Sequence, residues 1–128
     1  MGWIVPDQVL VAIGSDNHVK TFDVKNFKLL GGGSLSRRLD KSSLTCMEVD
    51  QENATVYMGT TNNSILIYSI SKETYNPKHI QTIKMEPDDI SIVSLLLTKE
   101  YLFAAHIYDV IPISISASTC NIKKVLIH

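Results

Sequence analysis

Four histidines, His18, His79, His106 and His128, are the side chains best suited to proton transfer or metal ligation. Their spacing supports neither, because no H-x-x-x-H or H-E-x-x-H pair places two imidazoles on one helix face. Each reads as a solvated turn or surface histidine. Cys46 and Cys120 stand 74 positions apart, outside any C-x-x-C pair, so a zinc or dithiol site is not indicated. They read as two buried, reduced thiols, with a single disulfide as the other reading. Gly31-Gly32-Gly33-Ser34 lacks the lysine and the helix that a phosphate-cradling loop needs. No G-x-S-x-G elbow is present. Asp88-Asp89 beside Glu86 offers paired carboxylates, but on a loop these form a solvated acidic edge. Asn53-Ala54-Thr55 and Asn62-Asn63-Ser64 match the glycosylation pattern and read as polar turns. The expectation is a chain with no catalytic residues, no metal and no cofactor.

The composition is that of ordinary globular material. The chain has 128 residues, 45% hydrophobic and 20% charged, which suits one globular domain over residues 1–128. Its formal net charge of −1 creates no global field for nucleic acid or an anionic membrane. Met1-Gly2-Trp3-Ile4-Val5-Pro6 lacks the basic and apolar regions of a secretory signal, and Pro6 breaks the myristoylation pattern. The longest nearly apolar stretch, Ile90 to Leu97, is far too short to span a membrane. An intracellular protein, cytoplasmic or nuclear, is expected.

The elements that must position any site are short, β-branched or aromatic, and bounded by turn residues. Strands are expected at Val9 to Gly14, Val19 to Val24 and Asn26 to Leu30, followed by a glycine-rich loop over Gly31 to Ser34. Trp3 to Val5 precede them as an incomplete innermost strand. The next four strands are Leu44 to Val49, Thr55 to Gly59, Ser64 to Ile70 and Lys78 to Met85. A last group comprises Ile90 to Leu97, Tyr101 to Ala105, Val110 to Ser116 and Ile122 to Ile127, with Pro112 weakening the third. No window has sustained helical spacing.

The chain also repeats itself. Val11-Ala12-Ile13-Gly14 through Phe22-Asp23-Val24 is echoed by Val56-Tyr57-Met58-Gly59 through Tyr68-Ser69-Ile70. Gly14 and Gly59 are 45 residues apart, and Phe22 and Tyr68 are 46 apart. Ser43-Leu44-Thr45-Cys46-Met47-Glu48-Val49-Asp50 through Val56-Tyr57-Met58-Gly59-Thr60 resembles the first part of a WD40 repeat, and Leu10 to Asp16 with Phe22-Asp23 resembles the second. Tyr68-Ser69 replaces the usual dipeptide in the second repeat, and His106 stands where glycine is usual in the third. The resemblance implies an all-β fold of antiparallel four-stranded blades. The approximate blades are 1–41, 42–88 and 89–128. Consecutive apolar runs such as Ile65-Leu66-Ile67-Tyr68 suit strands buried on both faces. Closed propellers have four to eight blades, so about three blades make an incomplete ring.

The resemblance further implies that two sets of loops share a face. These would bring Asp16, Asn17, His18, Arg37, Arg38, Lys41, Asn62, Asn63, Glu86, Asp88 and Asp89 together as a tentative partner-binding surface. Adjacent patches of opposite sign steer and register protein partners. The expected function is a non-catalytic protein–protein interaction scaffold contributing to a multiprotein complex. The leading expectation is a piece of a longer propeller; the other readings are a ring completed by a further copy or a partner, and an open array whose end faces something else covers. Nucleic acid and membrane are not expected partners. The alternatives are a nucleic-acid-binding subunit of a modifying enzyme, or a small β-sandwich hydrolase.

Overall fold

Alternating β-branched and aromatic residues, punctuated by turn residues, produce strands almost throughout. A computed structural model describes residues 2–4, 9–14, 16–39, 41–106, 110–115 and 122–124. The first sheet contains β1 (Gly2–Ile4), β2 (Val9–Ile13), β3 (His18–Asp23) and β4 (Lys28–Ser34). A single helical turn, α1 (Ser36–Leu39), leads to the second sheet: β5 (Leu44–Asp50), β6 (Thr55–Thr60), β7 (Ser64–Ile70) and β8 (Pro77–Lys84). The third holds β9 (Ser94–Leu97), β10 (Tyr101–Ala105), β11 (Val110–Ile115) and β12 (Ile122–Lys124). Within each sheet the strands follow chain order and pair antiparallel.

The turns explain the tight meanders. Asn17 (φ 59°) and Asn63 (φ 60°) occupy the left-handed region between the second and third strands of their sheets. Asparagine tolerates this conformation better than most residues with a Cβ.

Two cores separate the three sheets. Val9, Val11 and Val19 of the first sheet pack with Val56, Met58, Leu66, Tyr68 and Ile70 of the second, closed by Leu35 and Leu39 from the linker. On its opposite face the second sheet packs Tyr57, Ile65 and Ile67 against Leu95, Leu102, Ala104 and Ile113 of the third. The middle sheet is therefore covered on both faces, which accounts for its consecutive apolar residues. A β-sandwich pairs two sheets, so that alternative does not describe this chain.

Several sequence expectations need correction. The glycine run Gly31 to Gly33 lies within β4, not in a loop. A Cβ on Gly31 would stand 2.8 Å from the Tyr75 carbonyl oxygen and 2.5 Å from Asn76 Oδ1. Glycine there permits close approach of the next sheet. The first sheet has its fourth strand, β1, paired to β2 from Gly2 to Ile4. Residues 90–93 are not strand, and β9 begins at Ser94. Pro112 nonetheless lies within β11, opposite Phe103 of β10. The expected strand ends beyond 115 and 124 fall outside the described residues.

The repeat itself is offset by one residue from the glycine echo. Ile13 pairs with Val19 as Gly59 pairs with Ile65. Ile13 therefore corresponds to Gly59, and Gly14 corresponds to Thr60. A one-residue slip in a strand exchanges its two faces. With the corrected offset, Val11, Val19 and Thr21 match Tyr57, Ile65 and Ile67, all facing the following sheet. Leu10 and Phe22 match Val56 and Tyr68 on the other face.

Candidate functional site

Hydrogen bonds draw the charged loops to one edge of the three sheets. The Leu35 N–H donates to the Asn17 carbonyl (2.9 Å), tying the entry to α1 to the β2–β3 turn. The Thr61 N–H donates to the Ser43 carbonyl (2.9 Å), and the Ser43 N–H to Thr61 Oγ1 (3.0 Å). The Met85 N–H donates to the Asn63 carbonyl (2.9 Å), and the Ile92 N–H to the Thr60 carbonyl (3.0 Å). The turns and linkers around residues 16–18, 35–43, 60–63 and 85–92 are thus linked into one continuous rim.

The asparagines of this rim act differently from the charges. Asn63 is 1% exposed, and its amide nitrogen donates to the Pro87 carbonyl (2.9 Å). With Nδ2 as donor, Oδ1 must accept, and His106 Nε2 lies 2.6 Å from it. Asn63 therefore ties its own turn, the following linker and the third sheet. Buried and internally bonded, it positions the rim and presents no side chain to a partner. Asn17, at the equivalent turn position one repeat earlier, makes a different cross-sheet contact: its Oδ1 accepts the Leu44 N–H (3.3 Å). Asn62 is half-buried and accepts the Thr60 hydroxyl.

Asp16 and His18 form a local pair. Asp16 Oδ1 accepts the His18 N–H (3.3 Å), and Oδ2 lies 3.4 Å from His18 Nδ1. Arg37, Arg38, Lys41, Glu86, Asp88 and Asp89 are exposed. Glu86 and Asp88 border a shallow groove with Lys84, Met85 and Pro87.

Arg38, on the exposed side of α1, bears electrostatically on Tyr68 of β7. Burial pushes the Tyr68 phenol up, and the Arg38 charge and hydrogen bond oppose that rise. Burial, with the Arg38 charge second, holds the His79 imidazole below its ordinary range. His79 Nε2 sits 2.7 Å from the Thr82 hydroxyl, and its ring meets Tyr68 edge-on at 5.3 Å. Burial likewise raises the Cys46 thiol, partly offset by a hydrogen bond from Thr45. These environments favour neutral imidazole and protonated thiol, which suits packing better than nucleophilic chemistry. Cys120 and His128 lie outside the described residues. Among the described residues, no group of three or more histidine, cysteine or acidic side chains converges to hold a metal. No helix among them is long and apolar enough to cross a membrane.

Two contacts escape sequence inspection. His106 reads as a solvated turn histidine, yet it is the cross-sheet partner of Asn63. Its position, 46 residues after Thr60, is the signal that could have found it, because that register puts it at the head of the β10–β11 turn. The Arg38–Tyr68 contact has no sequence signature, since it depends on the single turn of α1.

No protein-family model matches the sequence, and no curated protein matches it. In fold, the chain is similar to the crystal structure of the C-terminal WD40 domain of Sif2. That match has 13% identity and a TM-score of 0.67, over 84% of this chain and 30% of that one. It is similar to the RRP9 WD40 repeats at 15% identity and a TM-score of 0.72, over 98% of this chain and 36% of that one. Saccharomyces cerevisiae Sqt1 matches at 17% identity and a TM-score of 0.65, over 90% of this chain and 29% of that one. The chain spans about a third of the length of these structures. Each sheet above is one blade, the offset of 46 residues is the blade repeat, and the chain carries the WD40-repeat fold as three consecutive β-propeller blades.

Proposed function

We propose that the chain is a non-catalytic interaction scaffold whose rim of blade loops binds a protein partner within a larger complex. The observation that carries this reading is the hydrogen-bonded rim itself. It holds Arg37, Arg38 and Lys41 on the first linker, and Glu86, Asp88 and Asp89 on the second, at the same edge of the blades. Opposite charges on a preformed surface favour oriented encounter with a partner of complementary pattern. Exposed Asp16 and the half-buried His18 and Asn62 complete the set, while Asn17 and Asn63 fix its shape. The fold neighbours support a scaffold role in the same sense, since they share the blade architecture. Such a protein works in the cytoplasm or nucleus and needs no cofactor.

Quantitative affinity capture from cell extract tests the reading. Wild type is compared with an Arg37→Glu, Lys41→Glu variant and with a Glu86→Lys, Asp88→Lys, Asp89→Lys variant. Because these side chains are exposed, stability should be unchanged. At least one variant should lose most of a protein that wild type retains reproducibly, with binding that weakens as salt rises. A capture profile identical for all three chains overturns the loop rim as the binding surface.

A further inference from the structure

The linker between the second and third blades is held by few points. Glu86 to Ile90 are consecutive exposed residues, so side-chain packing does little to fix their path. Anchors on either side of the stretch set it instead. Met85 is buried, and its N–H donates to the Asn63 carbonyl (2.9 Å). The Pro87 carbonyl accepts from Asn63 Nδ2 (2.9 Å). Further on, buried Ile92 donates its N–H to the Thr60 carbonyl (3.0 Å), and the Val93 N–H donates to the Ala105 carbonyl (2.8 Å). Asn63 thus supplies the anchors at the entry to the exposed stretch, and the end of β10 receives its exit.

Asn63 can hold Pro87 with its amide turned only one way. A side-chain amide has a donor end and an acceptor end of nearly the same shape. Turned over, it would set Oδ1 against the Pro87 carbonyl, two acceptors with no proton between them. His106 Nε2, 2.6 Å from Oδ1, selects the productive orientation. With Nε2–H donating, Oδ1 belongs on the third-blade side, and Nδ2 faces Pro87. His106 directly follows β10, whose last residue, Ala105, takes the exit of the linker. No counterpart of this pair holds the first linker among the described residues. The position 46 residues before His106 is Thr60, whose hydroxyl donates to Asn62 within its own turn. Asn17, the counterpart of Asn63, spends its Oδ1 on a backbone N–H of β5.

We infer that His106 is a positioning residue for the second linker. It orients the Asn63 amide, which fixes the Pro87 carbonyl and with it the flanking carboxylates of Glu86 and Asp88. The third blade thereby sets where the acidic arm of the rim stands relative to Arg37, Arg38 and Lys41 on the first linker. The consequence for partner binding rests on the reading of the rim as a binding surface, whereas the positioning itself does not.

Amide hydrogen exchange of the full 128-residue chain, read residue by residue by NMR, tests the positioning without a partner. In His106→Ala the Met85 amide, bonded to Asn63, should exchange about tenfold faster. The Thr61 amide, bonded to Ser43 on the first linker, should keep its rate. His106→Gln, whose amide can donate to Oδ1, should restore most of the protection. Should His106→Ala lose its fold, His106→Phe keeps a ring without the donor and gives the same readout. An unchanged Met85 amide overturns the inference. So does equal acceleration of Met85 and Thr61, or a glutamine variant that behaves like alanine. Affinity capture reads the consequence separately. His106→Ala should cut several-fold the retention of the protein that the Glu86→Lys, Asp88→Lys, Asp89→Lys variant loses. Full retention beside a released Met85 amide overturns the acidic arm as part of the binding surface and upholds the positioning.

Discussion

Asn63 joins three parts of the chain with one side chain. It takes a left-handed backbone conformation, donates to Pro87 and accepts from His106. Replacing it by alanine leaves buried groups without partners and retains a strained φ. A cost of about 2–3 kcal/mol is expected for Asn63→Ala by urea denaturation. Its neighbour Asn62 is half-buried, and Asn62→Asp is expected to change stability by no more than about 0.5 kcal/mol. The two adjacent asparagines look alike in the sequence, where both suit a turn. Only the pairing across blades separates them, because that depends on a histidine 43 residues away. His79 offers a test with a sign. Its native imidazole is held below the ordinary value of 6.5 by burial first and Arg38 second. Above that value both native and unfolded chains carry it neutral, and its contribution is fully present. As the pH falls, the unfolded chain takes up the proton first, so stability declines until the native imidazole titrates too. Denaturation midpoints should therefore fall more steeply below about pH 6.5 in wild type than in His79→Gln.

At the scale of elements, the strands of the middle blade are legible because apolar character runs through consecutive residues, and Ser64–Ile70 has its expected bounds. The misread elements share a cause. The glycines of β4 resemble a flexible loop, whereas the packing of the next blade selects them. Residues 90–93 resemble a strand, yet Ile92 inserts beside Gly59, where an added Cβ would approach it to 2.9 Å. In each case, contact with another blade overrides local propensity. The glycines of β4 can be distinguished experimentally. A Cβ at Gly33 would meet nothing within 4 Å, whereas one at Gly31 would crowd Tyr75 and Asn76. Gly31→Ala should cost about 1–3 kcal/mol. Gly33→Ala should be neutral or stabilise by up to about 1 kcal/mol through reduced freedom of the unfolded chain. Thermal melts of the two variants check this, and equal effects would contradict the placement of β4.

At the scale of the whole molecule, the number of blades and their order are visible in the repeat, but the facing of each strand is not. The glycine echo is one residue out of step with the true register, and only the pairing of Ile13 with Val19 and Gly59 with Ile65 corrects it. The rim is legible to the extent that charges fall in loops. The hydrogen bonds that assemble it mostly involve backbone groups, which every residue carries, and so leave little trace in residue identity. Val56 lies wholly within the contact between the first two blades. Val56→Asp would leave a charge unpaired between packed sheets, and a loss of about 3 kcal/mol or more is expected in chemical denaturation.

Three blades are the fewest that give an array an interior. Among the described residues, only the middle blade is packed on both faces, so two couplings within this stretch set its persistence, while each outer blade has one. In such a nearest-neighbour system, fluctuations begin at the ends and reach the centre last. Amide hydrogen exchange of the isolated, monomeric 128-residue chain should follow that gradient, slowest in β6 and β7 and faster in β2, β3, β10 and β11. The covering of the second blade on both faces thus becomes a kinetic order of opening, with the centre as the last part to admit solvent.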